Sequence, residues 1–461
     1  MAARPRDARR DEIPSIGVAL LLCATASACF RTPLEAKSAP ENPSGHKLAW
    51  QGPEPIEDFA NLSYDAHVVM DFQGNVTAVW RQYVDEPRSE GVAANRFDQR
   101  VGAWGQARFI DDGKHDATVP TLAMDGQGTV AVVWEQTGDF EMTHDVHGAR
   151  FEPTLAGWRA PELLTQTDSR GMIDPVVGLD RNGDGIVVWL ESNSGHSLHA
   201  STFVGGAWAG PTKLLDQRST KPSYPRLTVD GDGGAILMWA ELDGPHSGLY
   251  LRRIDPEIGE WGSDIVLSSE PCYAPSLAAD RWGTSAAAAT WLASGDSSGS
   301  RLRVAYQIAP DGDWQEESLP DTISATATHP AVAVSRKIAV LLWRQGEAQD
   351  EIYASHRGAD GMWRSPVLLG GDAGPNTIPR AEFDGNGNII ATWHQGRQGN
   401  SRVVAARYSA ASESWSAPVL LDNGDASAED PIIAVNGAGQ AVVIWRQQSP
   451  SFGHLWANRW Q

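Results

Sequence analysis

The sequence predicts an all-β protein, an eight-bladed β-propeller of four-stranded blades whose ring is closed by the N-terminal strand completing the C-terminal blade. Three observations carry that expectation. The first is a recurring frame, Pro225–Glu241 (PRLTVDGDGGAILMWAE): an Asp five residues after the Pro, a Gly three later, a Trp six later, then Glu or Gln two after that. It returns at Pro120–Gln136, Pro175–Glu191, Pro379–Gln395 and Pro431–Gln447, with looser copies at Ala66–Gln82, Pro275–Trp291 and Pro330–Gln345. The second is the spacing of its Trp (Trp80, Trp134, Trp189, Trp239, Trp291, Trp343, Trp393, Trp445), which stays between 50 and 55 residues. A four-strand blade needs about that length, and a shorter blade repeat of about 40–45 does not fit. The third is composition: 19 Trp and 46 Gly with no long amphipathic helical pattern mark a turn-rich β chain.

The chain opens on a targeting pattern, read as a signal peptide over residues 1–28. Arg4, Arg6, Arg9 and Arg10 precede an apolar run from Ile16 to Cys23, and small residues Ala24–Ala28 follow. The run is too short to cross a bilayer as a helix. Ala26-Ser27-Ala28-Cys29 resembles the bacterial lipobox, which implies a lipid on Cys29; plain secretion after Ala28 is the alternative. Phe30 after that Cys resembles the residue that directs such lipoproteins to the outer membrane of the cell envelope. Residues 29–46 then read as a tether, with the Pro/Ser/Ala/Glu stretch Thr32–Gly45 extended and mobile. Cys272 would be left as a lone thiol in the exported body, so no internal disulfide forms and packing alone must hold it.

Residues 47–461 are the propeller. Each repeat holds four short β runs, a to d. The Asp-x-x-Gly element between a and b is hairpin chemistry. Strand b is apolar on both faces, as in Ala235–Trp239 (AILMW), which suits a sheet packed on both sides. Strand c follows, as in Arg402–Tyr408, and a second Trp leads strand d: Trp50, Trp104, Trp158, Trp208, Trp261, Trp314, Trp363 and Trp415. The last repeat offers a, b and c, ending His454–Gln461. Its d strand is expected at Leu48–Ile56, and pairing the two removes an open edge.

A net charge of −21 argues against nucleic acid, whose phosphates demand clustered Lys and Arg, and suits a soluble monomer that meets a membrane only through a lipid anchor. The Trp-x-x-Pro-x-x-Leu strand followed by Pro-x-Leu-Ala-x-Asp resembles the BNR and sialidase-like propeller repeats. That resemblance implies a ligand, a glycan or a protein, on one propeller face. The family's Asp-box is matched only loosely by Gly358–Trp363 and Ala309–Trp314, and six blades are usual in it. Its catalytic arginine cluster includes an Arg two residues before a strand a Pro. Here that position holds Thr118, Ile173, Ser223, Tyr273, Thr328, Thr377 or Glu429, so sialidase activity is not expected and non-catalytic binding is.

Three sets of residues remain as site candidates. Gln82, Gln136, Glu191, Glu241, Gln345, Gln395 and Gln447 stand two after the first Trp, one per blade, either as a ring of ligand-binding groups on one face or as ties to their own loops. Asp180, Asn182 and Asp184, with Glu191 beyond, match the spacing of an oxygen-ligand Ca2+ loop, although every repeat has a turn there. Asp65, Asp174 and Asp430 near the d–a loops are the carboxylates from which a glycoside-cleaving pair would be drawn, and a scaffold without a small ligand is the third reading.

Overall fold

The computed structural model describes residues 48–461 apart from 86–87, 139–142, 166–170, 192–196, 206, 211, 215–220, 243, 255–259, 284, 295–299, 321–322, 324–326, 336–337, 347–349, 374–377, 398 and 449–452. The signal segment 1–28, Cys29 and the tether 29–46 lie outside the described residues.

Eight antiparallel sheets form eight blades, each ordered a-b-c-d. Strand a runs over Ser63–Met70, Ala117–Met124, Met172–Leu179, Pro222–Val229, Cys272–Ala279, Thr328–Ser335, Arg380–Phe383 and Ala428–Val435 in blades 1 to 8. Strand d is broken in two in blades 1, 2, 3 and 7. In blades 2 and 7 the break holds Pro161 or Pro418, which has no N–H for the ladder. Each strand a touches the strand a of both neighbouring blades, and the series returns from blade 8 to blade 1. The eight a strands therefore wall a central channel.

The repeated frame has a physical content at each position. The Asp carboxylate accepts the N–H groups two and four residues on: Asp71, Asp125, Asp180, Asp230 and Asp384 do so at 2.8–2.9 Å, and Asn436 at 3.1 Å. The Gly that follows (Gly74, Gly128, Gly183, Gly233, Gly387, Gly439) stands at φ of +79° to +93°, where a Cβ would be strained. The eight frame Trp are at most 1% exposed. Each buries roughly 150–250 Å², worth on the order of 4–6 kcal/mol as an upper bound. Their clusters bridge blades, as where Trp80, Val76 and Ala78 of blade 1 pack with Val442 and Ile444 of blade 8. Arg side chains of strand c clamp neighbouring blades further: Arg96 lies 3.7 Å over Phe151, Arg150 3.4 Å over Phe203 and Arg459 3.9 Å over Phe97.

The ring closes as the sequence predicts, with Glu54–Pro55 paired to the last strand, Gly453–Trp460. Ala49 and Gln461 exchange both backbone hydrogen bonds, at 3.0 and 3.1 Å, and Ile56 donates to the Leu455 carbonyl at 3.0 Å. Glu57 is the hub of this joint. Its buried carboxylate accepts the N–H groups of Phe59 (2.7 Å) and Leu455 (3.0 Å) and the Ser63 hydroxyl (3.3 Å), and meets His454 Nδ1 at 3.0 Å.

Deleting residues 47–57 is expected to lower the melting temperature by many degrees while the remaining transition loses cooperativity. Glu57→Ala is expected to cost about 3 kcal/mol, because it strands several buried donors. Calorimetry on both variants decides: an unchanged Tm for the deletion would mean that the N-terminal strand does not close the ring.

Candidate functional site

Strand a sets the site. Its pairing with strand b slips between Tyr64 and His67, Thr118 and Thr121, Ile173 and Val176, Ser223 and Arg226, Tyr273 and Ser276, Thr328 and Ala331, and Glu429 and Ile432. Seven blades thus carry a β-bulge at one level of the channel wall, where the frame Pro (Ala66 in blade 1) supplies no ladder N–H in six of them. At every bulge a non-glycine residue stands at φ of +46° to +56°: Asp65, Val119, Asp174, Tyr224, Ala274, His329 and Asp430. Such backbone costs on the order of 1–3 kcal/mol per residue and gathers at binding and catalytic sites. Strand a starts at this level, so the bulges mark one end of the channel, its mouth.

The preceding blade props this strained backbone. Glu135 Oε1, at the end of strand b in blade 2, accepts the Asp174 N–H of blade 3 at 2.8 Å. His394 Nδ1 in blade 7 takes the same place against the Asp430 N–H of blade 8, at 3.4 Å. Burial raises the Glu135 carboxyl to about 7, with the Asp174 charge adding to the rise against the hydrogen bond. Burial also raises Asp174, opposed by Arg226.

Two guanidiniums and an imidazole stand at one level of the channel wall and feel one another's charge. Arg226, Arg380 and His67 follow the frame Pro position in blades 4, 7 and 1, which are not neighbours, so only the channel brings their charges together. All three keep contact with solvent. His67 is held down at about 4, first by the protein around it, then by Arg380 and Arg226, against Asp65. Arg380 is lowered by its surroundings and by Arg226, with Asp430 opposing. Arg226 is lowered by its surroundings, with Asp174 and Tyr224 opposing. Arg226 spends its Nε and Nη1 on the Pro275 and Pro225 carbonyls, at 3.3 and 3.0 Å, which fixes its direction. Neither arginine has a carboxylate within ion-pair distance among the described residues. Sequence reasoning tested the position two before the Pro and missed these two; the signal was the Pro-Arg dipeptide, present in two frames only.

The seven Gln and Glu residues are used differently. The indole N–H groups of Trp80, Trp134, Trp239, Trp343 and Trp445 donate to Gln82, Gln136, Glu241, Gln345 and Gln447 at 2.9–3.3 Å. Gln82, Gln136, Glu241 and Gln447 are buried, so these four offer no open ring of ligand contacts. Glu191 turns instead to His199 (2.7 Å), and Gln395 is half-buried. Where Ala293 replaces the acceptor, the Trp291 indole N–H has no partner among the described residues. Asp180 holds its turn as the other frame acids do, with Asn182 Nδ2 donating to its Oδ2 at 3.1 Å, while Asp184 accepts the Gly205 N–H at 3.2 Å. No group of three or more His, Cys, Asp or Glu is placed to hold a metal ion among the described residues. Cys272 is buried and its thiol raised to about 12 by that burial. The apolar hollow lined by Trp50, Trp415 and Trp460, about 390 Å³, lies at the seam of blades 7 and 8 and not at the channel.

No protein-family model matches the chain, and no curated protein matches it. Similar solved structures include the polysaccharide lyase Uly1 (10% identity over 93% of this chain and 95% of that chain, TM-score 0.48). Others are an ulvan lyase (11%, 75% and 93%, TM-score 0.48) and the NanB sialidase from Streptococcus pneumoniae (12%, 84% and 83%, TM-score 0.41). Likeness of this order decides neither activity nor ligand. Of the family resemblance read from the sequence, the β-propeller itself stands on this chain's own hydrogen bonds.

The two shifted groups give opposed pH trends. Between about 4 and its ordinary 6.5, the unfolded chain protonates His67 while the folded one does not, so stability falls as pH drops through that window. Between its ordinary 4.5 and about 7, folded Glu135 keeps a proton that the unfolded chain releases, so stability falls as pH rises. Glu135→Gln is therefore expected to raise Tm by a few degrees at pH 8 and leave it unchanged at pH 4. The His67 ring protons are expected to show no NMR titration above pH 5.5; a midpoint near 6.5 would contradict the placement of His67.

Proposed function

We propose that the propeller is a non-catalytic binding module that seats an anionic group, the carboxylate or sulfate of a glycan, between Arg226 and Arg380 in the channel mouth. The observation that carries this reading is Arg380 itself. It is solvent-reachable, repelled by a second guanidinium, and without an ion-pair partner among the described residues of a chain whose net charge is −21. A bound oxyanion would relieve that repulsion and take charge-assisted hydrogen bonds from both arginines. Tyr224, 42% exposed beside Arg226, offers a ring face for a sugar.

Cleavage is the weaker reading because it requires two working carboxylates. Asp65 is tied to Arg81 at 3.1 Å and Asp430 to Arg446 at 3.2 Å, while Glu135 is 7% exposed and turned to the Asp174 backbone. Asp174 alone stays open at the rim.

Export with a lipid on Cys29 belongs to the same proposal, supported by the Arg-rich, apolar and small-residue run before it. It predicts radiolabelled palmitate on the wild-type protein and none on Cys29→Ser; equal labelling, or none on either, would remove the anchor.

For the ligand, glucuronate is expected to raise the Tm of the mature protein, and glucose is not. Arg380→Met should abolish that shift while its own ligand-free Tm stays equal or rises, since the like-charge repulsion from Arg226 is gone. A glucuronate shift that survives in both Arg380→Met and Arg226→Met would place the anion elsewhere.

A further inference from the structure

The channel has a second end, where the a–b turns converge. Phe72 and Trp282 stand in the turns of blades 1 and 5, opposite one another in a ring of eight, yet their rings meet with centroids 5.8 Å apart at 46°. Side chains from opposite turns can meet only by crossing the channel axis. Their neighbours make room for them. A Cβ on Gly126 of blade 2 would strike the Phe72 ring, and one on Gly437 of blade 8 would strike the Trp282 ring. The residue after the turn Asp or Asn is Phe72, Arg181 and Arg281 in blades 1, 3 and 5, and Gly126 and Gly231 in blades 2 and 4 between them. Arg181 of blade 3 donates to the Arg281 carbonyl at 3.2 Å, and the Gly231 N–H donates to the Asp280 carbonyl at 2.9 Å, so the turns are also laced together. Above them, Glu382 of strand a in blade 7 feels the charge of Arg281.

We infer that Phe72 and Trp282 are the floor of a blind well, and that the well takes the terminal acidic residue of a chain inserted from the bulged mouth. The ligand in this inference rests on the anion-binding reading above; the floor does not. His67, at the level of the two arginines, is five strand residues from Phe72, about 17 Å at 3.3 Å per residue. An acidic residue inside a polymer has three ways to meet those arginines. Threading through is stopped by the aromatic pair. Looping in and out takes two chain segments through one mouth. Lying across the mouth leaves the anion among the exposed rim acids Asp65, Asp174 and Asp430. A chain end needs one segment and passes the acids to reach the guanidiniums.

The test uses the mature chain and two trisaccharides of the same composition, one with glucuronate at its non-reducing end and one with glucuronate in the middle. Calorimetry is expected to show the first binding at least ten-fold tighter. The Phe72→Ala/Trp282→Ala variant is expected to narrow that ratio by admitting the second. Equal affinities in the wild type would overturn end-on recognition. If neither sugar binds, the anion-binding reading fails and the floor is judged alone, by fluorine NMR of 5-fluorotryptophan-labelled protein. Trp282, assigned by Trp282→Phe, should shift on Phe72→Ala; an unmoved signal would overturn the floor.

Discussion

A ring that must close on itself constrains everything else in this protein. Each blade is apolar on both faces of strand b, so a terminal blade with an uncovered face would expose a core, and a strand edge with it. The joint at Glu57 answers both needs by fastening Leu48–Glu57 to the last strand through main-chain bonds and a buried carboxylate. The site depends on the same closure. His67, Arg226 and Arg380 come from blades 1, 4 and 7, and nothing brings them within reach of one another except a complete circle. Closure is thus a condition of the proposed binding as well as of folding.

Local energetics at the mouth oppose what the blades favour. Left-handed backbone at Asp174 and Asp430, and like charges at Arg226 and Arg380, all disfavour the folded state. They persist because neighbours over-determine them. Glu135 and His394 hold the strained N–H groups from the blade before, while the Trp80–Gln82 type of contact ties down strand b in five of the blades. The indole bond is worth about 1 kcal/mol net, and more if its acceptor is lost from the buried site. A wall stiffened in this way holds two arginines that feel each other's charge, neither with a carboxylate at ion-pair distance among the described residues.

The frame was legible because repetition advertises structure. Asp at the turn, Gly at positive φ, Trp in the core and the Gln or Glu beyond it recur since every blade needs them. Recurrence is also why Gln82 and its counterparts were attractive as a ligand ring. The structure has five of them receive an indole N–H, and Gln82, Gln136 and Gln447 also donate to neighbouring loop groups, the tie to the loops that was the alternative. The channel was illegible for the converse reason. The position after the frame Pro holds His67, Thr121, Val176, Arg226, Ser276, Ala331, Arg380 and Ile432, with no pattern to find. Which of these meet depends on a circle that places blades 1, 4 and 7 together, and sequence order separates them by more than a hundred residues. Phe72 and Trp282 are hidden likewise: only in the ring are blades 1 and 5 opposite. In a repeat protein, recognition lies where the blades differ.

That difference also bears on how an acidic protein could take up the proposed anion. At long range the net charge of −21 repels it, but beyond about 8 Å salt screens most of that field at physiological ionic strength. At contact the balance reverses. Two unit charges 4 Å apart interact by roughly 4 kcal/mol at an effective dielectric constant of 20, against about 1 kcal/mol in bulk water. The proposed oxyanion would therefore gain most where it approaches both guanidiniums closely and water is displaced from between them. In the proposed binding the acidic rim would act as a filter on depth. On the proposed reading, polyanions that can only lie on the surface are turned away, and a single charge carried past Asp65, Asp174 and Asp430 reaches Arg226 and Arg380, which have no ion-pair partner among the described residues.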